Sequence, residues 1–156
     1  MTRRSVPAAL VAAACIVNGC IAFPFPVDSE LRLEPRDWKA QPDYTWSRDL
    51  EGCSLWTTTI KVFPSTTYVT HFSHDFELRG NSRSVRLESA TLETNTGGRY
   101  DGRISRFSLG HSSVEWELYQ PVGKALGDRA EMVLELRVGS EPREVRIEWA
   151  AEEEPR

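Results

Sequence analysis

His71-Phe72-Ser73-His74-Asp75 is the one stretch of the chain where metal-capable side chains crowd together. A divalent metal needs three or four such groups converging within bonding distance. On an extended strand, His71 and His74 fall on opposite faces because their spacing is odd. His71 and Asp75 share a face but lie about 13 Å apart by strand rise. The cluster binds metal only if the backbone bends or another segment adds a ligand, so His71, His74 and Asp75 stand as weak candidates. The expected arrangement is a solvent-facing His71 and a partly buried, hydrogen-bonded His74.

Two acidic pairs, Glu115/Glu117 and Glu144/Glu148, invite comparison with the paired carboxylates of glycoside hydrolysis. Strand neighbours at i and i+2 stand about 6.6 Å apart. Alternating acids on an exposed strand are also what solubility alone produces, and Arg143 and Arg146 are close enough in sequence to pair with them. His111, Ser112 and Ser113 follow Gly110 and read as turn residues. Gly97-Gly98 reads as a turn without a helix behind it to present its amides to a phosphate. Cys53 has no base or orienting group near it in sequence and reads as a small packing thiol. No catalytic constellation is visible, so the expectation is a protein that is not an enzyme and carries no cofactor.

Composition narrows the partners. The 156 residues carry 19 Lys+Arg against 23 Asp+Glu, a net charge of −4. That balance argues against nucleic acid, which needs clustered cations to neutralise phosphates, and against a basic lipid-binding patch. The length suits one domain.

The N-terminus is built for export. Arg3 and Arg4 precede the apolar run Val6 to Val17. Twelve residues are too few to span a bilayer, which takes about 20, and suit the core of a secretory signal. Val17-Asn18-Gly19-Cys20 then resembles the lipobox of bacterial lipoproteins. That motif has a Leu-like residue, a tolerant position, a small residue and an invariant cysteine. The resemblance implies cleavage after Gly19, a diacylglycerol thioether on Cys20 and acylation of the new amine. The membrane would be a partner through that lipid. Asn18 is an uncommon choice there. Ala12-Ala13-Ala14-Cys15 is a rival box with a shorter apolar run before it, and Thr2-Arg3-Arg4 also resembles a twin-arginine signal, from which Pro7 departs. Ile21 in place of Asp implies, by the same resemblance, sorting to the outer membrane, facing the periplasm. Loss of residues 1–19 would remove Arg3 and Arg4 and no acid, moving the net charge from −4 to −6. Cys53 would then have no cysteine partner, because Cys20 is taken by lipid.

These features need elements to hold them. Residues 20–45, with Pro24, Pro26, Pro35 and Pro42, read as a lipidated cysteine and a Pro-rich tether. Glu30 to Leu33 reads as a short edge strand. The aromatics Trp38, Tyr44 and Trp46 either cap the open end of the domain or form part of a partner surface. Residues 46–150 alternate apolar and polar with period two, the mark of half-buried strands. Trp56, Ile60 and Val62 share one parity. Tyr68, Thr70, Phe72, His74, Phe76 and Leu78 share another. Val114, Trp116 and Leu118 alternate, as do Met132, Leu134, Leu136 and Val138, and Val145, Ile147 and Trp149. The phase slips near Ser89-Ala90 and again between Ile104 and Phe107, the signature of β-bulges. Gly80-Asn81-Ser82, Asn95 to Gly98, Gly110 to Ser112 and Gly139 to Pro142 mark turns. Residues 121–130 read as a crossing loop, and 151–156 as an acidic tail.

The expected fold is all-β: an immunoglobulin-like sandwich of seven or eight antiparallel strands, without the Cys–Trp–Cys core of true immunoglobulin domains. The alternative is a small up-and-down barrel. The expected function is a non-catalytic, lipid-anchored cell-envelope module that binds or braces another periplasmic or surface component. Two alternatives are a lipid-anchored carrier of a small apolar ligand inside a barrel, and a metal-binding or hydrolytic enzyme around His71, His74 and Asp75.

Overall fold

Val145, Ile147 and Trp149 alternate with Glu144, Arg146 and Glu148, and a strand patterned this way lays one face on a core and leaves the other in water. In the computed structural model, which describes residues 31–62, 70–80, 85–108 and 110–152, this segment belongs to the longest of twelve strands. In chain order these are β1 (Leu31–Pro35), β2 (Lys39–Gln41), β3 (Thr45–Leu50), β4 (Cys53–Thr58), β5 (Ile60–Val62), β6 (His71–Arg79), β7 (Val85–Thr94), β8 (Arg99–Asp101), β9 (Arg103–Ser108), β10 (His111–Glu117), β11 (Arg129–Val138) and β12 (Glu141–Ala151). One short helix, α1 (Val122–Leu126), precedes β11. Cys20, the signal segment, Tyr68, Asn81, Ser82 and the last four residues lie outside the described residues.

The protein is a β-sandwich of two six-stranded antiparallel sheets, one of them curled like half a barrel. The first sheet has the order β5-β1-β12-β11-β7-β8, the second β2-β3-β4-β6-β10-β9. Their inner faces meet on a core of Trp116, Trp149, Phe76, Leu33, Leu55 and Met132, none more than slightly exposed. The hydrophobic effect of burying such large side chains is the main force holding the sheets together.

Twelve strands appear where seven or eight were expected, because the chain turns corners. At Thr59 it leaves β4 in the second sheet and becomes β5 in the first. Thr59 is held there by three bonds. Its backbone N–H donates to Tyr44 O at 2.9 Å, its hydroxyl donates to the same oxygen at 3.4 Å, and Trp46 Nε1 donates to the hydroxyl at 3.0 Å. At Gly102 the chain passes from β8 to β9, again changing sheets. A Cβ on Gly102 would press into Val114 Cγ1 and come within 2.7 Å of Trp116 Nε1, so the corner fits only glycine.

The corner at Thr59 corrects one face assignment. The inward set is Cys53, Leu55 and Thr57, then Ile60 and Val62, while Trp56 is half-exposed on the outer face. Both phase slips mark irregular pairings: Glu135 pairs Ser89 while Leu136 pairs Leu87, and Ser112 pairs Arg106 while His111 pairs Ser108.

Residues 31–45 are not a tether in the structure. β1 sits inside the first sheet between β5 and β12, with Leu33 fully buried, so it is no edge strand. β2 and β3 open the second sheet. Pro35 is tolerated as the last residue of β1, where its missing N–H costs no ladder bond further along the strand. The 121–130 segment carries α1, which buries Val122, Ala125 and Leu126.

Candidate functional site

The register gives the sandwich two distinct ends. The near end holds the start of β1, because Leu33 pairs Ala151 at the end of β12. It also holds the Pro42–Tyr44 hairpin tip, the 95–98 turn and α1. The far end gathers the Glu51-Gly52 turn, the end of β6 at Arg79 and the β11–β12 turn at Gly139-Ser140.

An open hollow of about 890 Å³ lies at the far end, where both sheets contribute. Leu50, Cys53 and Val138 give it apolar patches, and Asp49, Glu51, Glu141, Arg79 and Arg143 line it with charge. The arginines are positioned by specific partners. Arg143 Nη1 donates to Glu51 O, and its Nη2 lies 3.5 Å from a Glu141 carboxylate oxygen. Arg79 forks onto Glu77 through Nε and Nη2 at 2.9 and 3.0 Å, and its guanidinium lies 3.8 Å from the Trp56 ring centroid. The Glu77 carboxyl is held below its ordinary range, first by that hydrogen bond from Arg79. Burial pushes the Cys53 thiol up, against a smaller opposing pull from Arg143, so it stays protonated at neutral pH and packs.

The histidine cluster splits as its spacing demands. His71 and Asp75 are exposed on the outer face of β6, and His74 is buried on the inner face. His74 Nε2 lies 2.7 Å from Thr57 Oγ1, and its ring stands edge-on to Trp149 and Phe76 at 5.1 and 5.2 Å between centroids. Burial lowers its pKa to about 4, with Asp75 and a hydrogen bond to the Thr58 backbone pulling the other way. Among the described residues no group of three metal-capable side chains converges.

His111 is half-buried at the start of β10, paired to Glu77, and is not a free turn residue. Ser112 is buried and Ser113 half-buried on the same strand, because pairing with β6 begins at His111. Gly97 and Gly98 form the β7–β8 turn, with Gly98 N–H donating to Thr94 Oγ1. The acidic pairs are drawn into separate ion pairs. Glu115 meets Arg103 at 2.9 Å, Glu144 meets Arg146 at 2.9 Å, and Glu148 meets Arg129 at 2.7 Å. Of the three N-terminal aromatics, Trp38 joins the core and Trp46 packs against it, whereas Tyr44 is exposed.

The residues of the far-end hollow were not singled out from sequence. Glu51, Arg79 and Arg143 are far apart along the chain, and only the turn signals at Gly80 and Gly139 hinted that these segments share an end.

Fold and site together define a small antiparallel sandwich with a filled interior and a charged hollow at one end. No family model, curated protein or solved structure matches the chain. Among the described residues no helix is long and apolar enough to cross a membrane.

Proposed function

We propose that the protein is a non-catalytic, lipid-anchored module of the bacterial cell envelope, held to the outer membrane through Cys20 and facing the periplasm. It presents its far-end hollow to another envelope component. The observation that carries this reading is the opposition of the two ends. The chain leading from Cys20 joins the domain at the near end, and the hollow lies at the other. The ten residues of β11 that run between the ends rise about 33 Å. An anchor at one end and a mixed-charge concavity at the other is the layout of a module that displays a binding surface away from the membrane.

The carrier alternative needs a lined apolar cavity. The space between the sheets is instead occupied by Trp116, Trp149, Phe76 and their neighbours, which favours the binding module.

A photo-crosslinking residue at Ser140, on the hollow's rim, and another at Glu93, on the outer face of β7, test the reading in cells. Discrete adducts from Ser140 and none from Glu93 are expected. No adduct from Ser140, or equal yields from both, overturns it. Cys20→Ala in the same cells is expected to leave the detergent phase and to lose the adducts.

A further inference from the structure

We infer that the near end of the sandwich rests on the bilayer surface, with Tyr44 and Tyr119 seated among the phospholipid headgroups. This inference rests on the lipid-anchor reading of Cys20.

Among the described residues, two large hydrophobic side chains are exposed: Tyr44 at 55% and Tyr119 at 92%. Both lie at the near end. Tyr44 belongs to the β1–β5 flank, with the Arg32 guanidinium 5.0 Å and the Lys61 ammonium 5.9 Å from its ring centroid. Tyr119 belongs to the β8–β10 flank, its ring 5.4 Å from that of Tyr100. β5 and β8 are the two edges of the first sheet, so the tyrosines mark opposite sides of one end.

Tyr44 is held outward against its backbone preference. It closes the Pro42–Thr45 turn, in which Thr45 N–H donates to Pro42 O, with Asp43 at φ 59° and Tyr44 at φ 55°. Such a turn favours Asn-Gly, because a side chain in the left-handed region is strained. The two bonds from Thr59 to Tyr44 O keep the residue in place. Strain held at an exposed aromatic points to a role outside the fold. The residues on either side of Tyr119 are bonded to the domain. Leu118 N–H donates to Thr70 O at 2.7 Å, and Gln120 Nε2 donates to Thr96 Oγ1 at 2.8 Å.

The partner follows from chemistry and position. Tyrosine joins an apolar ring to a polar tip and concentrates where membrane meets water. Cys20 is eleven positions before Leu31, and eleven extended residues reach at most about 40 Å. A lipid on Cys20 therefore joins the domain at this end, but its reach exceeds the roughly 33 Å between the two ends, so it is the tyrosines that hold this end down. Glu34 lies within electrostatic reach of both Arg32 and Glu152, so positive charge at this end is partly offset and the contact is assigned to the tyrosines more than to anionic lipid. The outer face of the first sheet differs in kind. It is covered by ion pairs such as Arg146–Glu131 and Arg137–Glu88, both at 2.8 Å.

The test uses vesicles of phosphatidylethanolamine and phosphatidylglycerol containing a headgroup-nitroxide lipid. The mature chain carries Cys53→Ser and one fluorophore, at Asp128→Cys on the near end or Ser140→Cys on the far end. It is tethered in two ways: by its own lipid, and, as Cys20→Ala, by an N-terminal histidine tag on a nickel-chelating lipid. Quenching several-fold stronger at 128 than at 140 is expected under both tethers. The double variant Tyr44→Ala/Tyr119→Ala is expected to bring the two labels to within twofold of each other. Equal quenching with both tyrosines present, or a difference that survives their removal, overturns the inference. If the chain's own lipid proves absent by intact mass, the anchor reading fails while the tagged chain still decides the surface contact.

Discussion

His74 offers the sharpest energetic test of the core. It is buried among Phe72, Phe76 and Trp149 and is neutral when folded, with a pKa of about 4 against 6.5 for an unperturbed histidine. The unfolded chain therefore binds the proton more tightly. The stability this confers is complete above pH 6.5 and is lost as the pH falls toward 4. At about 1.4 kcal/mol per pH unit, it amounts to about 3 kcal/mol. Replacing His74 with Phe removes the titration and the Thr57 contact, which is worth about 1 kcal/mol. The variant is thus expected to be about 1 kcal/mol less stable at pH 7 and more stable than wild type at pH 4.5, the two curves crossing near pH 6. Urea unfolding followed by tryptophan fluorescence at half-unit pH steps measures this. The difference between proteins cancels carboxylates such as Glu77, which titrate in both. Parallel pH profiles for the two proteins would refute a buried neutral His74.

Gly102→Ala places a methyl against Val114 and Trp116 and is expected to cost about 1–3 kcal/mol by thermal denaturation, with a changed near-ultraviolet tryptophan spectrum. Leu33→Ala is expected to cost about 2–5 kcal/mol, because β1 is interior, whereas a tether residue would cost almost nothing. Tyr44→Gly is expected to be about 1 kcal/mol more stable than Tyr44→Ala, since both lose the ring and only Ala keeps the left-handed strain. Cys53 is expected to resist a thiol-reactive dye at pH 7 and to react fully in guanidinium chloride.

The long strands were legible because their alternation is strict and each repeat buries a whole face. β6, β10, β11 and β12 lie where the pattern puts them, and the two phase slips coincide with irregular pairings at Glu88 and Phe107. The errors fall where polar residues face inward or the chain changes sheets. Thr57 and Thr59 are buried while Trp56 is half-exposed, so the apparent parity of Trp56, Ile60 and Val62 hid the corner. β1 was read as a short edge strand at Glu30 to Leu33, but its interior place and β2 were hidden by Pro35 and Pro42, which sit at a strand's last residue and in a turn, where proline costs no ladder bond. His74 was legible as an inward residue because its parity with Phe72 and Phe76 admits no other face. The hollow was not, because its residues meet only through three turns far apart in sequence.

Whether Cys20 carries a lipid is decided by the intact mass of the mature protein extracted from membranes. A chain beginning at Cys20 is expected, heavier than its polypeptide by a diacylglyceryl group and an acyl chain, with Cys53 as its one titratable thiol after unfolding. A chain beginning elsewhere, or one with a free thiol at Cys20, would contradict it.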